Sequence, residues 1–134
     1  MTTPSIIVAD GNALYLEMLR GLLIEQGYPH VQCIQGQLTF DLVRREQPDL
    51  VLLDINIAHP DQGWRILDLL RLHPATTHIP VILCVTDPRI LREKAARLEK
   101  MCCDMLEKPF NLEELLVKVR AIVGPPPREA DEKA

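Results

Sequence analysis

The chain has 134 residues, 47% of them hydrophobic and 25% charged. At roughly 150 residues per domain that is one globular unit with one core, which excludes wholesale disorder, a fibre and a coiled coil. Fifteen basic against nineteen acidic residues leave a net charge of −4, so no global pull towards nucleic acid or an anionic membrane is expected.

In chain order, short apolar β-branched runs alternate with stretches of helical periodicity. The predicted strands are Ser5–Asp10, Val31–Ile34, Leu50–Asp54, Val81–Val85 and Asp104–Glu107. The predicted helices are Ala13–Gln26, Leu38–Glu46, Trp64–His73, Arg89–Met101 and Leu112–Val123. Their apolar faces carry Leu16, Leu19, Leu22 and Leu23; Leu38, Leu42 and Val43; Ile66, Leu67 and Leu70; Leu91, Ala95 and Leu98; and Leu112, Leu115, Leu116, Val119, Ile122 and Val123. Gly27 and Gly124 read as helix ends, Pro48 as a stop, and Asn111 with Glu114 as a variant capping box. The (βα)5 order with continuous apolar strands predicts a doubly wound α/β fold, a parallel sheet in the order 2-1-3-4-5. Residues 1–124 form the expected domain, and 125–134 a proline-led polar tail or linker, expected to be mobile.

No apolar run nears the roughly 18 residues of a membrane span, and the N-terminus lacks a secretory pattern, so a cytoplasmic protein is expected. Cys33, Cys84, Cys102 and Cys103 show no metal spacing and read as free thiols, with Cys33 and Cys84 in the core. No G-x-G-x-x-G or Walker A pattern occurs, which argues against a flavin or nucleotide enzyme.

In open α/β sheets ligands sit beyond the carboxyl ends of the strands. Here strand 1 leads to Asp10, Gly11 and Asn12; strand 3 to Asp54, with Asn56 beyond; strand 4 to Val85 and Thr86; strand 5 to Glu107, Lys108 and Pro109. Two carboxylates and a carbonyl suit a hard cation such as Mg²⁺. An ammonium suits a phosphoryl anion, and an aspartate can itself become an aspartyl phosphate. The constellation points to Mg²⁺-assisted phosphoryl transfer onto a carboxylate.

From about Ser5 to Val123 the sequence resembles the response-regulator receiver domain of two-component signalling, a flavodoxin-like fold. The resemblance is carried by IIVADGN around Asp10, PDLVLLDIN around Asp54, HIPVILCVTDP around Val85 and EKPFNLEELL around Lys108. It implies Asp54 as phosphoacceptor and a Mg²⁺ site of Asp10, Asp54 and the Asn56 carbonyl. It also implies Lys108 as the phosphoryl contact and a cis peptide at Lys108–Pro109. The implied phosphodonor is a sensor histidine kinase or a histidine phosphotransfer protein. Phosphoryl acceptance and loss would be autocatalysed, with no enzyme activity towards other substrates.

Several positions depart from the family pattern. Gly11 replaces a second acid, which predicts weak Mg²⁺ binding. Val85 stands where a Ser or Thr hydroxyl is usual, and Thr86 can replace it only if the strand bulges. Met105 stands where an aromatic is frequent. In the loop after Asp54, Ala58, Pro60 and Gly63 shift the usual proline and glycine positions. The competing function is a degenerate pseudo-receiver, a protein-binding module that works without phosphorylation. Helix 4 carries Arg89, Arg92, Lys94, Arg97 and Lys100 against Glu93 and Glu99, a net of +3. Through the resemblance, the face of helix 4, strand 5 and helix 5 is where an output partner would dock. A homodimer is left open, direct nucleic-acid binding is not expected, and His59, in the loop near Asp54, reads as a surface histidine rather than a site residue.

Overall fold

The computed structural model describes residues 3–36, 38–55, 62–101 and 103–126. Five strands and five helices alternate: β1 Ser5–Ala9, α1 Ala13–Glu25, β2 His30–Ile34, α2 Thr39–Glu46, β3 Leu50–Asp54, α3 Gln62–Leu72, β4 Val81–Val85, α4 Pro88–Lys100, β5 Cys103–Glu107 and α5 Leu112–Val123. The strands form one parallel sheet in the order β2-β1-β3-β4-β5. The expected fold is borne out.

Side chains alternate across each strand, and the core divides accordingly. Ile7, Ala9, Val51, Leu53, Val81, Leu83 and Val85 pack under α2, α3 and α4 with Val43, Ile66, Leu67, Leu70 and Leu98. Ile6, Val8, Leu50, Leu52, Ile82, Cys84 and Leu106 pack under α1 and α5 with Leu16, Leu19, Leu23, Leu115, Leu116 and Val119. All five residues of β3 and of β4 are buried, as expected of strands covered on both faces. The outer strand β5 is less fully covered, with Asp104 and Glu107 exposed.

Element ends differ from the sequence expectations where caps decide them. Pro88 opens α4 rather than preceding it, because proline is tolerated in a helix's first turn. Asp87 is the N-cap, its Oδ1 accepting from the Arg89 N–H at 2.9 Å. α2 begins at Thr39, not Leu38, and Leu38 lies outside the helix with 66% exposure. Its C-terminal cap is Gln47 in the left-handed region (φ 49°), so the helix stops before Pro48 acts. Ala95 is exposed, and among the described side chains of α4 Leu98 is buried in the core, with Ile90 packed partly against it. α3 starts two residues before Trp64, and β5 one before Asp104.

Gly27 (φ 100°) closes α1, with the Tyr28 N–H donating to the Leu23 carbonyl at 3.0 Å. A side chain at Gly27 would meet Pro126 at 2.7 Å. The buried Tyr28 hydroxyl donates to the Gly124 carbonyl at 2.8 Å. The first residues of the expected tail are thus packed on the α1–β2 corner. Residues 127–134 lie outside the described residues. Cys33, Cys84 and Cys103 are free thiols, Cys33 only half-buried, and Cys102 lies outside the described residues. Among the described residues, no helix is long and apolar enough to cross a membrane.

Candidate functional site

Because the sheet is parallel, all five strands end on one rim. β1 lies between β2 and β3, so the chain's winding reverses between β1 and β3, and a crevice opens there. Asp10 follows β1 and Asp54 ends β3 at that crevice. Both are buried, 4% and 8% exposed. Lys108 follows β5, its backbone N–H donating to the Val85 carbonyl at 2.7 Å. The peptide between Lys108 and Pro109 is cis, as expected.

Lys108 brings the rim together. Its Nζ donates to Asp10 Oδ2 at 2.6 Å and lies 3.9 Å from Asp54 Oδ2. The lysine side chain is 15% exposed, so the ammonium and the two carboxylates interact with little water between them. The other oxygen of Asp10, Oδ1, accepts the Asn12 N–H at 3.0 Å. Asn12 caps α1 by accepting the Tyr15 N–H at 3.1 Å. The Gly11 carbonyl accepts from the Gln35 side chain at 2.9 Å. An acid, a bare backbone residue and a helix cap therefore follow one another directly.

On the far side of Asp54, α3 docks closely. The Gly63 N–H donates to the Ile55 carbonyl at 3.0 Å, and a Cβ on Gly63 would stand 2.3 Å from that oxygen. Only glycine allows the helix to approach the strand end this closely. Cys84 is the register partner of Asp54. Burial pushes its thiol up to about 12, with the nearby Lys108 charge opposing. It is a neutral spectator rather than a nucleophile.

The degenerate positions resolve differently from one another. Val85 is fully buried in the core under α2, α3 and α4, so it offers the rim nothing. The β4–β5 ladder runs in register from Val81–Cys103 to Val85–Glu107, without a bulge. Thr86 nevertheless lines the cavity that contains Lys108 and Tyr15, exposed at its edge. That cavity is lined by residues of α1 and α5 and not by Asp10 or Asp54. Met105 is half-buried against the α2–α3–α4 side. Gly11 is exposed and is not among the left-handed glycines, which are Gly27, Gly36 and Gly124. Asn56, Ala58, His59 and Pro60 lie outside the described residues.

The carboxylates match Mg²⁺ in kind, since that ion takes one or two carboxylates and keeps its waters. The third acid is missing: among the described residues, no group of three His, Cys, Asp or Glu side chains could hold a metal. The donor set fits Mg²⁺ with two carboxylates, both of them paired with Lys108, Asp10 more closely.

Sequence reading missed two residues that surround Lys108. The Tyr15 ring centroid lies 4.2 Å from Nζ, and Phe110 meets that ring edge-on at 6.4 Å. The signal was an aromatic in the first turn after the strand-end acid. On α4, Arg89 pairs with Asp87, and Arg97 with Asp68 at 2.7 Å while lying over Trp64. These partners lie outside the helix and reduce the free basic charge expected there.

The family profile "Response regulator receiver domain" matches residues 6–120. The response regulator MprA of Mycolicibacterium vanbaalenii is 34% identical over 118 residues, 88% of this chain and 49% of that protein. The polar-differentiation response regulator DivK of Brucella ovis is 25% identical over 122 residues, 91% of this chain and 98% of DivK. The crystal structure of a putative response regulator from Chloroflexus aurantiacus superposes with a TM-score of 0.78 at 25% identity, covering 91% of this chain and 98% of that one. The chain thus spans about half the length of the first relative and nearly all of the second. Receiver domains bind Mg²⁺ in their active site, interact with histidine kinases or phosphotransfer proteins, and are in general non-enzymatic signalling modules. A carboxylate pair bridged by a lysine at the switch point of a 2-1-3-4-5 parallel sheet, with a profile match over most of the sequence, makes this chain a member of the response regulator receiver domain family.

Proposed function

We propose that the chain accepts a phosphoryl group on Asp54 from a histidine kinase or a histidine phosphotransfer protein. The observation that carries this reading is the Lys108 ammonium held between Asp10 and Asp54 at the carboxyl rim. A carboxylate oxygen of Asp54 attacks the phosphorus of a phosphohistidine. The new O–P bond forms as the N–P bond breaks, and the imidazole leaves with its electron pair and takes up a proton. Lys108 moves towards the phosphoryl oxygens and stabilises their charge through a charge-assisted hydrogen bond. Thr86, which lines a cavity with Lys108, would supply the hydroxyl that Val85 lacks.

Asp10, Asp54 and the Asn56 carbonyl would hold Mg²⁺, which supplies charge neutralisation at the transferring group. The resulting acyl phosphate is lost to water by the same residues, with no other substrate turned over. An output partner would dock on the face of α4, β5 and α5. With about half the length of MprA covered, the effector of such a protein is not specified by this chain.

Intact-mass measurement after incubation with acetyl phosphate and Mg²⁺ tests the reading. The wild type is expected to gain one phosphoryl group and Asp54→Asn none. Labelling of the Asp54→Asn protein would show that the acceptor lies elsewhere. A second reading, a pseudo-receiver that binds partners without phosphorylation, is favoured by Val85 at 0% exposure and by Gly11 in place of an acid. It is adopted if the wild type takes no label at saturating donor and Mg²⁺.

A further inference from the structure

Lys108 has a third neighbour that the phosphoacceptor reading does not use. Tyr15 stands in the first turn of α1, its backbone fixed by the Asn12 cap. Phe110 meets its ring at an interplanar angle of 71° and a centroid distance of 6.4 Å. The ring is thus held from its backbone and from one edge. The Lys108 Nζ lies 4.2 Å from its centroid. An aromatic face attracts an ammonium, and does so more strongly where water is excluded. The lysine side chain is 15% exposed.

Asp10 already serves a cation in this arrangement. Its Oδ2 carries Lys108 at 2.6 Å, and its Oδ1 accepts the Asn12 N–H. Each Asp10 oxygen thus already carries one donor, and a divalent ion approaching that carboxylate meets the charge of the ammonium on it. With glycine at position 11, that residue supplies no second carboxylate to serve one cation while Asp10 serves the other.

We infer that Tyr15 is a positioning residue that holds the Lys108 ammonium on Asp10, making Lys108 a resident counter-ion in competition with Mg²⁺ for that carboxylate. The inference rests on the part of the proposed function that assigns Mg²⁺ to Asp10 and Asp54. It does not depend on phosphoryl transfer. Releasing the ammonium from the ring should ease entry of the metal. A partly exposed cation–π contact corresponds to about two- to fivefold in an equilibrium constant.

The test is a Mg²⁺ titration of the full chain without phosphodonor, followed by calorimetry and by the amide resonances of Gly11 and Asn12. Tyr15→Leu and Tyr15→Met are expected to tighten Mg²⁺ binding about two- to fivefold. Tyr15→Phe, which keeps the ring and removes only the hydroxyl, is expected to match the wild type. In a Lys108→Met background the Tyr15→Leu change should lose its effect, because the coupling runs through the ammonium. The Lys108 Hε resonances should be shifted upfield by the ring in the wild type and in Tyr15→Phe, but not in Tyr15→Leu. Unchanged or weaker binding in both ring-less variants, an equal gain without Lys108, or no Mg²⁺ binding by any of these proteins overturns the inference. Labelling of Asp54 is measured separately, so loss of the phosphoacceptor reading and loss of this one give different results.

Discussion

At the scale of the residue, position 11 sets the charge of the site. Asp10 and Asp54 offer two carboxylates, and Lys108 neutralises part of that charge at 2.6 and 3.9 Å. A third carboxylate would act on a cation with about 4 kcal/mol per unit charge at 4 Å and an effective dielectric near 20, most of it offset by desolvation. A surviving gain of about 1.4 kcal/mol is tenfold in affinity. Gly11 is exposed and lies outside the left-handed region, so its backbone suits an L side chain. Gly11→Asp is therefore expected to tighten Mg²⁺ binding at least several-fold in the same calorimetric titration. Equal or weaker binding by the folded variant would show that residue 11 does not face the metal. Asp10, Asp54 and Lys108 were legible in the sequence because each ends or follows an apolar run. Tyr15 was not, since an aromatic in an amphipathic helix reads as one more core residue until β5 brings Lys108 against its ring.

At the scale of the element, α4 is anchored both through its core face and at its C-terminal end. Its exposed face is strongly charged, and Leu98 is its deepest described side chain. The surface pair Arg97–Asp68 adds little, as exposed pairs commonly give under about 1 kcal/mol. Its C-terminal end is held differently. From α3, Arg71 donates Nε to the Met101 carbonyl at 2.7 Å and Nη1 to the Thr77 and Ile79 carbonyls at 3.2 and 2.7 Å. One guanidinium thus ties the end of α3, the turn before β4 and the end of α4. Hydrogen bonds to a charged group contribute about 1.5–3 kcal/mol, and a lysine cannot reproduce the fork. Arg71→Ala is expected to cost about 2–3 kcal/mol in urea unfolding and to speed amide exchange in residues 97–101. An unchanged urea midpoint would remove Arg71 from the stabilising contacts. The helix ends were harder to read than the helices, because Pro88 and Gln47 act through backbone geometry that only the cap reveals.

At the scale of the whole molecule, the two-sided core buries thiols that ionise readily once unfolded. Burial pushes Cys84 and Cys103 each up to about 12 from a reference of 9.0. For both, the folded state keeps its proton at a pH where the unfolded chain has lost it. The unfolded state then binds fewer protons, so stability falls as pH rises. Their contribution is complete below about pH 9 and is lost progressively between about 9 and 12. Burial also raises Tyr15 above its reference of 10.0, which acts in the same direction. Urea unfolding at successive pH values should show stability declining above about pH 9, by up to about 1.4 kcal/mol per pH unit per thiol. A Cys84→Ala, Cys103→Ala double variant should show a shallower decline. An equally steep decline in that variant would assign the loss to other groups.

The sequence by itself determined the alternation of strands and helices, the parallel sheet and the rim on which the acids meet. Those follow from local periodicity and from the handedness of crossovers, which act over a few residues or one connection. Only the tertiary structure decided that Val85 turns into the core while Thr86 faces the Lys108 cavity. The same holds for Gly63, whose necessity comes from α3 approaching Ile55 to within 2.3 Å of an added Cβ. It holds again for Lys108, which meets Asp10 across 98 residues of sequence and finds Tyr15 beside it. Distances of this kind are set by packing and twist summed over the whole sheet, and no window of sequence contains them.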